Sequence, residues 1–232
     1  MTTRLERQRF QSWREPDEIP YYRDIEFIKC QMYDCAFGWK HTPDYSRRAT
    51  AEGISIINCD MRNATIGPAL FRNIVVENLK SDSMILFSPV YEHVTLRGRF
   101  GRWMIHGAVQ PGPPYWMPPA YWESCLRFYK NVDWALDISQ AEFADFSFRT
   151  GGVPTHLVKR DPETQVVVRR EQVIEGRWRR LGLAGYTEVG LKLLLEDQAT
   201  ETVLVVPKRM KDAKRLVEDL RTLQAAGIAQ PD

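Results

Sequence analysis

Few residues in this chain have the types and spacing that chemistry requires. Its four histidines lie far apart in the sequence, and its four cysteines show no paired C-x-x-C spacing. Because structural zinc needs clustered thiolates or imidazoles, we expect no metal site and interpret the cysteines as small core residues in a reducing compartment. The histidines are His41, His93, His106 and His156, and the cysteines are Cys30, Cys35, Cys59 and Cys125.

Catalytic motifs are absent from the sequence as well. It has no phosphate-binding loop, no dinucleotide-binding glycine pattern, no H-E-x-x-H pair and no G-x-S-x-G turn. Paired carboxylates could serve a glycosidase or a lyase, but Glu77 and Asp82 are expected on different faces. We therefore expect neither an enzyme nor a cofactor, with His106 buried and hydrogen-bonded rather than catalytic.

The composition narrows the class of protein. The chain has 232 residues, 44% of them apolar, with 32 basic residues against 30 acidic ones. This balance favours neither a nucleic-acid ligand nor an acidic mimic of nucleic acid. No apolar run reaches the length of a membrane span, and the charged N-terminus lacks the apolar core of a signal peptide. We expect a cytoplasmic protein without membrane contacts.

The elements that would position any site follow a period of five residues. Residues 54–98 divide into nine consecutive pentapeptides, namely ISIIN, CDMRN, ATIGP, ALFRN, IVVEN, LKSDS, MILFS, PVYEH and VTLRG. Every first position is apolar, as is every third position except Ser81. The same frame occurs at residues 25–39 and 136–150. An amphipathic strand would alternate every two residues, so the pattern indicates a repeat with two inward-facing columns.

This pattern resembles the pentapeptide-repeat family over residues 25–150. The resemblance implies a mainly β protein, a right-handed quadrilateral parallel β-helix in which four pentapeptides form one coil. About 4–5 stacked coils would bury a continuous core between them. The chain departs from the family at Ile54, Ile74, Leu79 and Met84, which are larger than the alanine that is usual at the first position.

A coil of four pentapeptides predicts which residues stack. It stacks Ile56, Val76 and Leu96 on one face and Phe71 and Tyr91 on another. The prediction also places Gly101 under Phe143, and His106 next to Leu86. Inserts at about residues 40–53 and 107–135 would both replace the fourth face, and so would leave the solenoid on the same side. Residues 1–24 would form a cap or an arm.

The fourth face is the predicted binding surface, since loops on one face of a repeat scaffold often carry the binding site. Between the inserts, Leu70 and Val90 would form an apolar spot. The second insert contains VQPGPPYWMPPAYWES, whose prolines and glycines predict neither a regular helix nor a central strand. Its aromatic residues would either bind a protein partner or fold back over the apolar spot. The predicted partner-binding residues are Leu70, Arg72, Val90, Glu92, Tyr115, Trp116, Tyr121 and Trp122.

Residues 151–232 lose the five-residue frame and predict a small α/β region. This region should cover the last coil, because an open solenoid end exposes strand edges, and it is large enough for a second binding surface. The expected elements are two short strands around a turn at 161–164, helices over 170–183 and 187–197, a buried strand over 200–207 and an amphipathic helix over 208–229 that ends at Gly227.

Three functions fit these features. The first is a non-catalytic protein-binding scaffold, an inhibitor or immunity protein that neutralises a bacterial toxin, since such a protein needs only anchors and a complementary surface. The second, implied by the resemblance, is a topoisomerase (gyrase)-interacting protein that mimics DNA. Those relatives have strongly acidic surfaces, whereas the charges here balance. The third is a carbohydrate-acting β-helix enzyme, which the missing acidic cluster disfavours.

Overall fold

The structure, a computed structural model, describes residues 1–15, 19–38, 47–107 and 119–230. Within these residues, one large sheet of fourteen strands extends from Thr3 to Lys159, and a smaller α/β region follows it. Every strand pair of the large sheet is parallel. The prediction of a mainly β protein is confirmed, and the parallel stack is compatible with a β-helix-like solenoid.

The elements are named here in chain order. The strands of the large sheet are β1 (Thr3–Glu6), β2 (Arg9–Gln11), β3 (Tyr21–Arg23), β4 (Ile25–Ile28), β5 (Gln31–Tyr33), β6 (Ala36–Phe37), β7 (Ala49–Glu52), β8 (Ser55–Ile57), β9 (Asp60–Arg62), β10 (Thr65–Ile66), β11 (Ala69–Phe87), β12 (Val90–His106), β13 (Leu136–Arg149) and β14 (Val158–Lys159). The smaller sheet contains β15 (Gln165–Arg169), β16 (Glu201–Val205) and β17 (Ala229–Gln230). The helices are α1 (Pro119–Tyr129), α2 (Arg170–Val173), α3 (Gly185–Glu196) and α4 (Ala213–Ala225).

The strands stack in the register that the pentapeptides predict. Val76 pairs with Ile56 on one side and with Leu96 on the other. Phe71 likewise pairs with Tyr91. All five residues contribute to, or pack against, one continuous hydrophobic core. The twenty-residue spacing between stacked positions is therefore confirmed for these faces.

The corners of the stack explain the period of five. Asn58, Asn63, Asn73 and Asn78 each end a pentapeptide, and each has a left-handed backbone with φ between 51° and 55°. Asparagine tolerates this conformation because its short polar side chain can bond locally. Gly98 occupies the next corner at φ +79°, where an added Cβ would lie 2.3 Å from Asn78 Oδ1. A short extended segment followed by one left-handed residue thus repeats along the chain.

The N-terminal segment, predicted as a cap or an arm, continues the same stack. Strands β1, β2 and β3 pair in parallel with β4, β5 and β7. Leu5 lies opposite Phe27, and Phe10 lies opposite Met32. The sequence did not predict this first coil, because the residues between its few apolar positions are mostly charged or polar.

The first insert is shorter than predicted, because part of it forms a strand of the fourth face. Strand β7 lies between β3 and β11, so that Ala51 stacks between Tyr22 and Phe71. Its two inward residues, Ala49 and Ala51, are buried. Their small side chains gave no signal of bulky third positions, which is why the sequence frame missed this strand.

The predicted stacking of Gly101 and His106 is wrong. Five steps along β11, from Leu79 to Met84, lie opposite only three steps along β12, from Phe100 to Trp103. A separate register shift between β12 and β13, from Thr95 to Arg97, pairs Phe100 with Phe143. The backbone of Gly101 passes so close to β11 that an added Cβ would lie 1.8 Å from Ser81 O.

The same shift changes the third face. Leu86 pairs with Ile105, which is buried, while His106 pairs with Phe87. The His106 ring stacks on Phe87 with 5.5 Å between ring centroids. Partial burial and the nearby Arg149 guanidinium lower the pKa of His106.

The C-terminal α/β region covers the end of the stack, as predicted. Strand β14 pairs with β13, and β15 joins β16 and β17 in an antiparallel sheet. Asp197 accepts two hydrogen bonds from Arg149, at 2.6 and 2.7 Å. The buried Gln165 donates from Nε2 to Ile138 O at 2.8 Å. These contacts tie the region to the last strand of the stack.

The predicted helices of this region are partly confirmed. Helix α3 and strand β16 occupy the predicted ranges, and Gly227, with φ +68°, follows the end of α4. The predicted helix over residues 170–183 is instead the short α2 followed by a 3-10 turn at Arg177–Arg180. Helix α4 begins at Ala213 and buries Leu216, Leu220 and Leu223. Among the described helices, none is long and apolar enough to cross a membrane.

Candidate functional site

The predicted binding face is built from two outward columns of side chains. Residues Thr50, Leu70 and Val90 stack in one column, and Glu52, Arg72 and Glu92 stack in the other. Their order follows from the twenty-residue register alone. Leu70 is half-buried, whereas Val90 is fully buried. Val90 therefore cannot form part of an exposed apolar spot, and that part of the prediction is corrected.

The charged column forms a ladder of ion pairs. Arg72 lies between two carboxylates, with Nε 2.5 Å from Glu92 Oε2 and Nη1 4.0 Å from Glu52 Oε2. The hydroxyl of Tyr21 donates a hydrogen bond to Glu52. Because these groups are partly solvated, each pair adds little to stability. The ladder does, however, fix the position of charges of both signs on a rigid surface.

The second insert ends in helix α1, so the prediction that its proline-rich segment forms no regular helix is wrong for residues 119–124. The helix begins at Pro119, and proline is well tolerated in the first turn, where the backbone N–H would have no partner within the helix. Buried residues on α1 are Tyr121, Ser124, Cys125 and Tyr129. The prolines that precede the helix hide its start in the sequence, because proline usually breaks a helix.

Helix α1 packs on the fourth face through two tyrosine hydroxyls. Tyr121 donates to Ser88 O at 2.5 Å, and the backbone N–H of Tyr91 donates to the hydroxyl of Tyr129 at 3.1 Å. Burial raises the pKa of Tyr121 and of Tyr129, so these two phenols stay protonated. This arrangement covers Val90, and of the two predicted roles for the aromatic insert, Tyr121 takes the one that folds back on the scaffold.

The two inserts meet at Arg48. Its Nη2 donates to Ser124 Oγ at 2.5 Å and lies 3.2 Å from Cys125 Sγ. Its guanidinium carbon lies 4.9 Å from the ring centroid of Tyr121. These contacts join the segment just before β7 to α1.

The outer side of α1 is also accessible to solvent. Trp122 is half-buried, and Leu126 is exposed over 46% of its surface. A cavity of about 600 Å³ is lined by Leu126 together with Pro154, His156 and Glu201. Tyr115 and Trp116, also predicted to bind, lie outside the described residues, as does His41.

The His93 imidazole forms the group on this face that most resembles a catalytic arrangement. Nε2 lies 2.6 Å from Asp133 Oδ1, and Nδ1 lies 3.3 Å from Asn73 Oδ1. The hydrogen bond from His93 lowers the pKa of Asp133. Among the described residues, no hydroxyl or thiol is hydrogen-bonded to His93, as a nucleophile would be.

The contacts of His93 indicate that it holds the chain after α1 in position against the fourth face. Its ring centroid lies 4.7 Å from that of Trp134, and its backbone N–H donates to Trp134 O at 3.3 Å. Lys159 Nζ lies 3.8 Å from the ring centroid of the same Trp134. These contacts join the chain after α1 to the edge of the fourth face. Sequence reasoning missed Arg48, Leu126 and Asp133, because only the fold places them beside this face.

The cysteines are free thiols within the core or near it. The Cys30 backbone N–H lies 3.3 Å from Cys59 Sγ, and burial raises the pKa of Cys59 to about 11. A thiol with a raised pKa is a weak nucleophile at neutral pH. No group of three or more metal-ligating side chains occurs among residues 1–15, 19–38, 47–107 and 119–230.

Comparison with protein-family models gives no match for this chain, and comparison with curated proteins gives none either.

Proposed function

We propose that this chain is a non-catalytic protein-binding scaffold of the pentapeptide-repeat type, and that it acts as an inhibitor or immunity protein that neutralises a bacterial toxin. The proposed scaffold is a right-handed quadrilateral parallel β-helix. The support for it is the five-residue period, the parallel pairing at twenty-residue spacing and the left-handed residue that ends successive pentapeptides.

The proposed binding surface consists of the outer side of α1, with Trp122 and Leu126, and the adjoining charge ladder of Glu52, Arg72 and Glu92. The observation that carries the proposal is that α1 is held against the stack by Tyr121, Tyr129 and Arg48 while Leu126 faces solvent. A surface fixed before binding loses little conformational entropy when a partner docks.

The two parts of this surface would contribute differently to binding. Apolar and aromatic anchors near the centre of an interface supply most of the affinity. Charges of both signs at its edge steer the encounter and select the partner. An inhibitor needs both properties and needs no catalytic residues, which suits a face whose charged groups are paired with one another.

The charge distribution disfavours the alternative of a DNA mimic that binds a topoisomerase. A cavity of about 790 Å³ is lined by Lys80, Arg99, Arg102 and Arg209, and Asp82 is the one acidic residue among the described residues that line it. Elsewhere on the stack, Arg97 Nη2 lies 2.8 Å from Glu77 Oε2. A DNA mimic requires rows of carboxylates without such partners.

The proposal is tested by affinity capture from a lysate of the native cell, with bound proteins identified by mass spectrometry. Wild-type protein and the variant Leu126→Arg would be compared side by side. We expect the wild type to capture one protein in stoichiometric amount and the variant to lose it, because a buried charge at an interface anchor is costly.

The matched control is Ile174→Arg, which places the same charge at another exposed apolar residue, far from α1 in the sequence. It should capture the partner as well as the wild type does. A partner that binds Leu126→Arg and wild type equally would contradict the proposed surface. Capture of a topoisomerase would favour the DNA-mimic alternative instead.

A further inference from the structure

The two ends of the parallel stack are finished in different ways. At the C-terminal end, β14 pairs with β13, and Gln165 and Asp197 bond to the last strand. At the N-terminal end, β1, β2 and β3 each pair with a strand on one side only, within the part of the chain that the structure describes. Such an edge presents backbone groups that can pair with another strand.

The hydrogen bonds of β1 identify which backbone groups face away from the stack. Thr3 N–H donates to Asp24 O at 2.8 Å, and Arg7 N–H donates to Ile28 O at 2.9 Å. Because successive residues of a strand direct their backbone groups to opposite sides, Thr3, Leu5 and Arg7 face the stack. The N–H and C=O groups of Arg4 and Glu6 therefore point outward.

An apolar cavity lies behind this edge. It has a volume of about 330 Å³, and its lining includes Leu5, Phe10, Trp13 and Tyr22 from the first turn. All four residues are only half-buried. The end of the stack thus combines open strand edges with incompletely covered apolar side chains, a combination that favours association.

We propose that two copies of this chain associate through their N-terminal edges, with β1 of one copy pairing antiparallel to β1 of the other around a two-fold axis at Leu5. In this register Arg4 lies opposite Glu6 of the second copy, and Glu6 lies opposite Arg4 of the second copy. Each of these is a hydrogen-bonded pair in which both residues exchange N–H···O bonds.

The charges of β1 select a second copy as the occupant. Two-fold symmetry brings the same surface of each copy together, so the surface must be complementary to itself. The sequence TRLE is self-complementary in the antiparallel register, since a basic and an acidic residue flank the central leucine at equal distance. Opposite charges directly across two strands stabilise pairing, whereas like charges destabilise it.

The test measures self-association by analytical ultracentrifugation over a wide range of protein concentration. The proteins are wild type, Arg4→Glu, Glu6→Arg and the double variant that exchanges the two charges. We expect a dimer for wild type and a weakening of roughly tenfold or more for each single variant, because each creates two like-charge pairs. The double variant should dimerise like the wild type.

Mixing provides a second readout that does not depend on the double variant. Arg4→Glu and Glu6→Arg should form a mixed dimer with each other, since both cross-strand pairs of that dimer join opposite charges, one as in wild type and the other reversed. Circular dichroism melts of each variant check folding, which matters because Arg4 also lies 3.7 Å from Glu26. Arg177→Glu, at an exposed ion pair elsewhere, serves as the control.

Two results would overturn the proposal. One is a wild-type protein that stays monomeric at every concentration. This holds even if its cavity binds an apolar dye or its edge binds a strand of another protein. The other is a dimer whose dissociation constant is the same in wild type and in both single variants, which would place the interface on another surface.

Discussion

In the C-terminal half of the parallel stack, Leu96, Ile138 and Phe143 are almost completely buried, whereas in the N-terminal half Phe27 and Met61 remain partly exposed. Both halves follow the same five-residue period and the same parallel pairing. The period therefore sets the path of the backbone but does not by itself fill the interior.

Side-chain size accounts for much of this difference. Along one inward column, Met84 pairs with Trp103, which pairs with Phe146. In the N-terminal half, the same column contains Cys35, just before β6, and Ala64, just before β10. Both line the 330 Å³ cavity. Protein interiors are normally packed as densely as organic crystals, so this half of the stack is underfilled.

The largest expected effect compares one aromatic residue from each half. Phe143→Ala should lower the free energy of unfolding by about 3–5 kcal/mol, because Phe143 is fully buried and leaves a cavity. Phe27→Ala should cost roughly half as much, since its site already adjoins open space. Urea denaturation of both variants measures the difference. Equal losses would show that the two halves are packed equally well.

The C-terminal end of the stack, which the α/β region covers, can be destabilised by removing the single carboxylate of Asp197. Asp197→Ala should lower the free energy of unfolding by about 2–4 kcal/mol, because it leaves the half-buried Arg149 and the buried Thr150 N–H without their acceptor. Hydrogen exchange should increase in the C-terminal region. Glu188→Ala removes an exposed ion pair with Lys192 and is expected to be nearly neutral. If Asp197→Ala lowers the free energy of unfolding no more than this control does, Asp197 does not stabilise the covered C-terminal end.

Enlarging alanine should have opposite effects in the two halves. Ala64 and Ala141 both occupy the first position of a pentapeptide. Ala64→Leu should stabilise the protein by about 0.5–1 kcal/mol, because the side chain enters the cavity. Ala141→Leu should destabilise it by about 1–3 kcal/mol, because its site is already full. Thermal melts give both values, and the comparison fails if both changes have the same sign.

The smallest expected effect is a pH dependence that arises in the C-terminal half. The lowered pKa of His106 means that the unfolded chain binds a proton more readily than the folded chain. Stability from this group is therefore complete above the ordinary pKa of 6.5 and is lost as the pH falls toward the folded value. His106→Gln should flatten this part of the stability profile. His156→Gln, which removes an exposed histidine, is the control. A profile that His106→Gln leaves unchanged would assign the pH dependence to other groups.

Much of the stack could be predicted because its signal is repeated. Nine pentapeptides in one frame predicted the stacking of Ile56, Val76 and Leu96, which the structure confirms. The asparagines at the fifth positions carried a further signal for the corners, which sequence reasoning did not use. Strands β1, β2 and β7 were missed because their inward residues are few or small, and hydrophobic periodicity needs bulky residues to be visible.

The structure of the proposed binding face was predicted less completely, because it depends on long-range packing. Leu70, Arg72 and Glu92 lie on the expected face, since they belong to regular pentapeptides. Val90 and Tyr121 do not remain exposed, because α1 docks against the stack. No local pattern predicts that a segment rich in proline will end in a helix whose tyrosines bond to the backbone of Ser88 and Tyr91, much earlier in the chain.

The sequence by itself determined the period, the parallel stacking and the presence of a distinct C-terminal region. These features follow from the local choices of an apolar, an extended or a left-handed residue, which each pentapeptide repeats. Only the tertiary structure decided the register shift between Leu79 and Ser83, the docking of α1 and the contrast between a covered C-terminal end and an open N-terminal end. Each of these depends on contacts between residues that are distant in the sequence, and no repeated local signal specifies them.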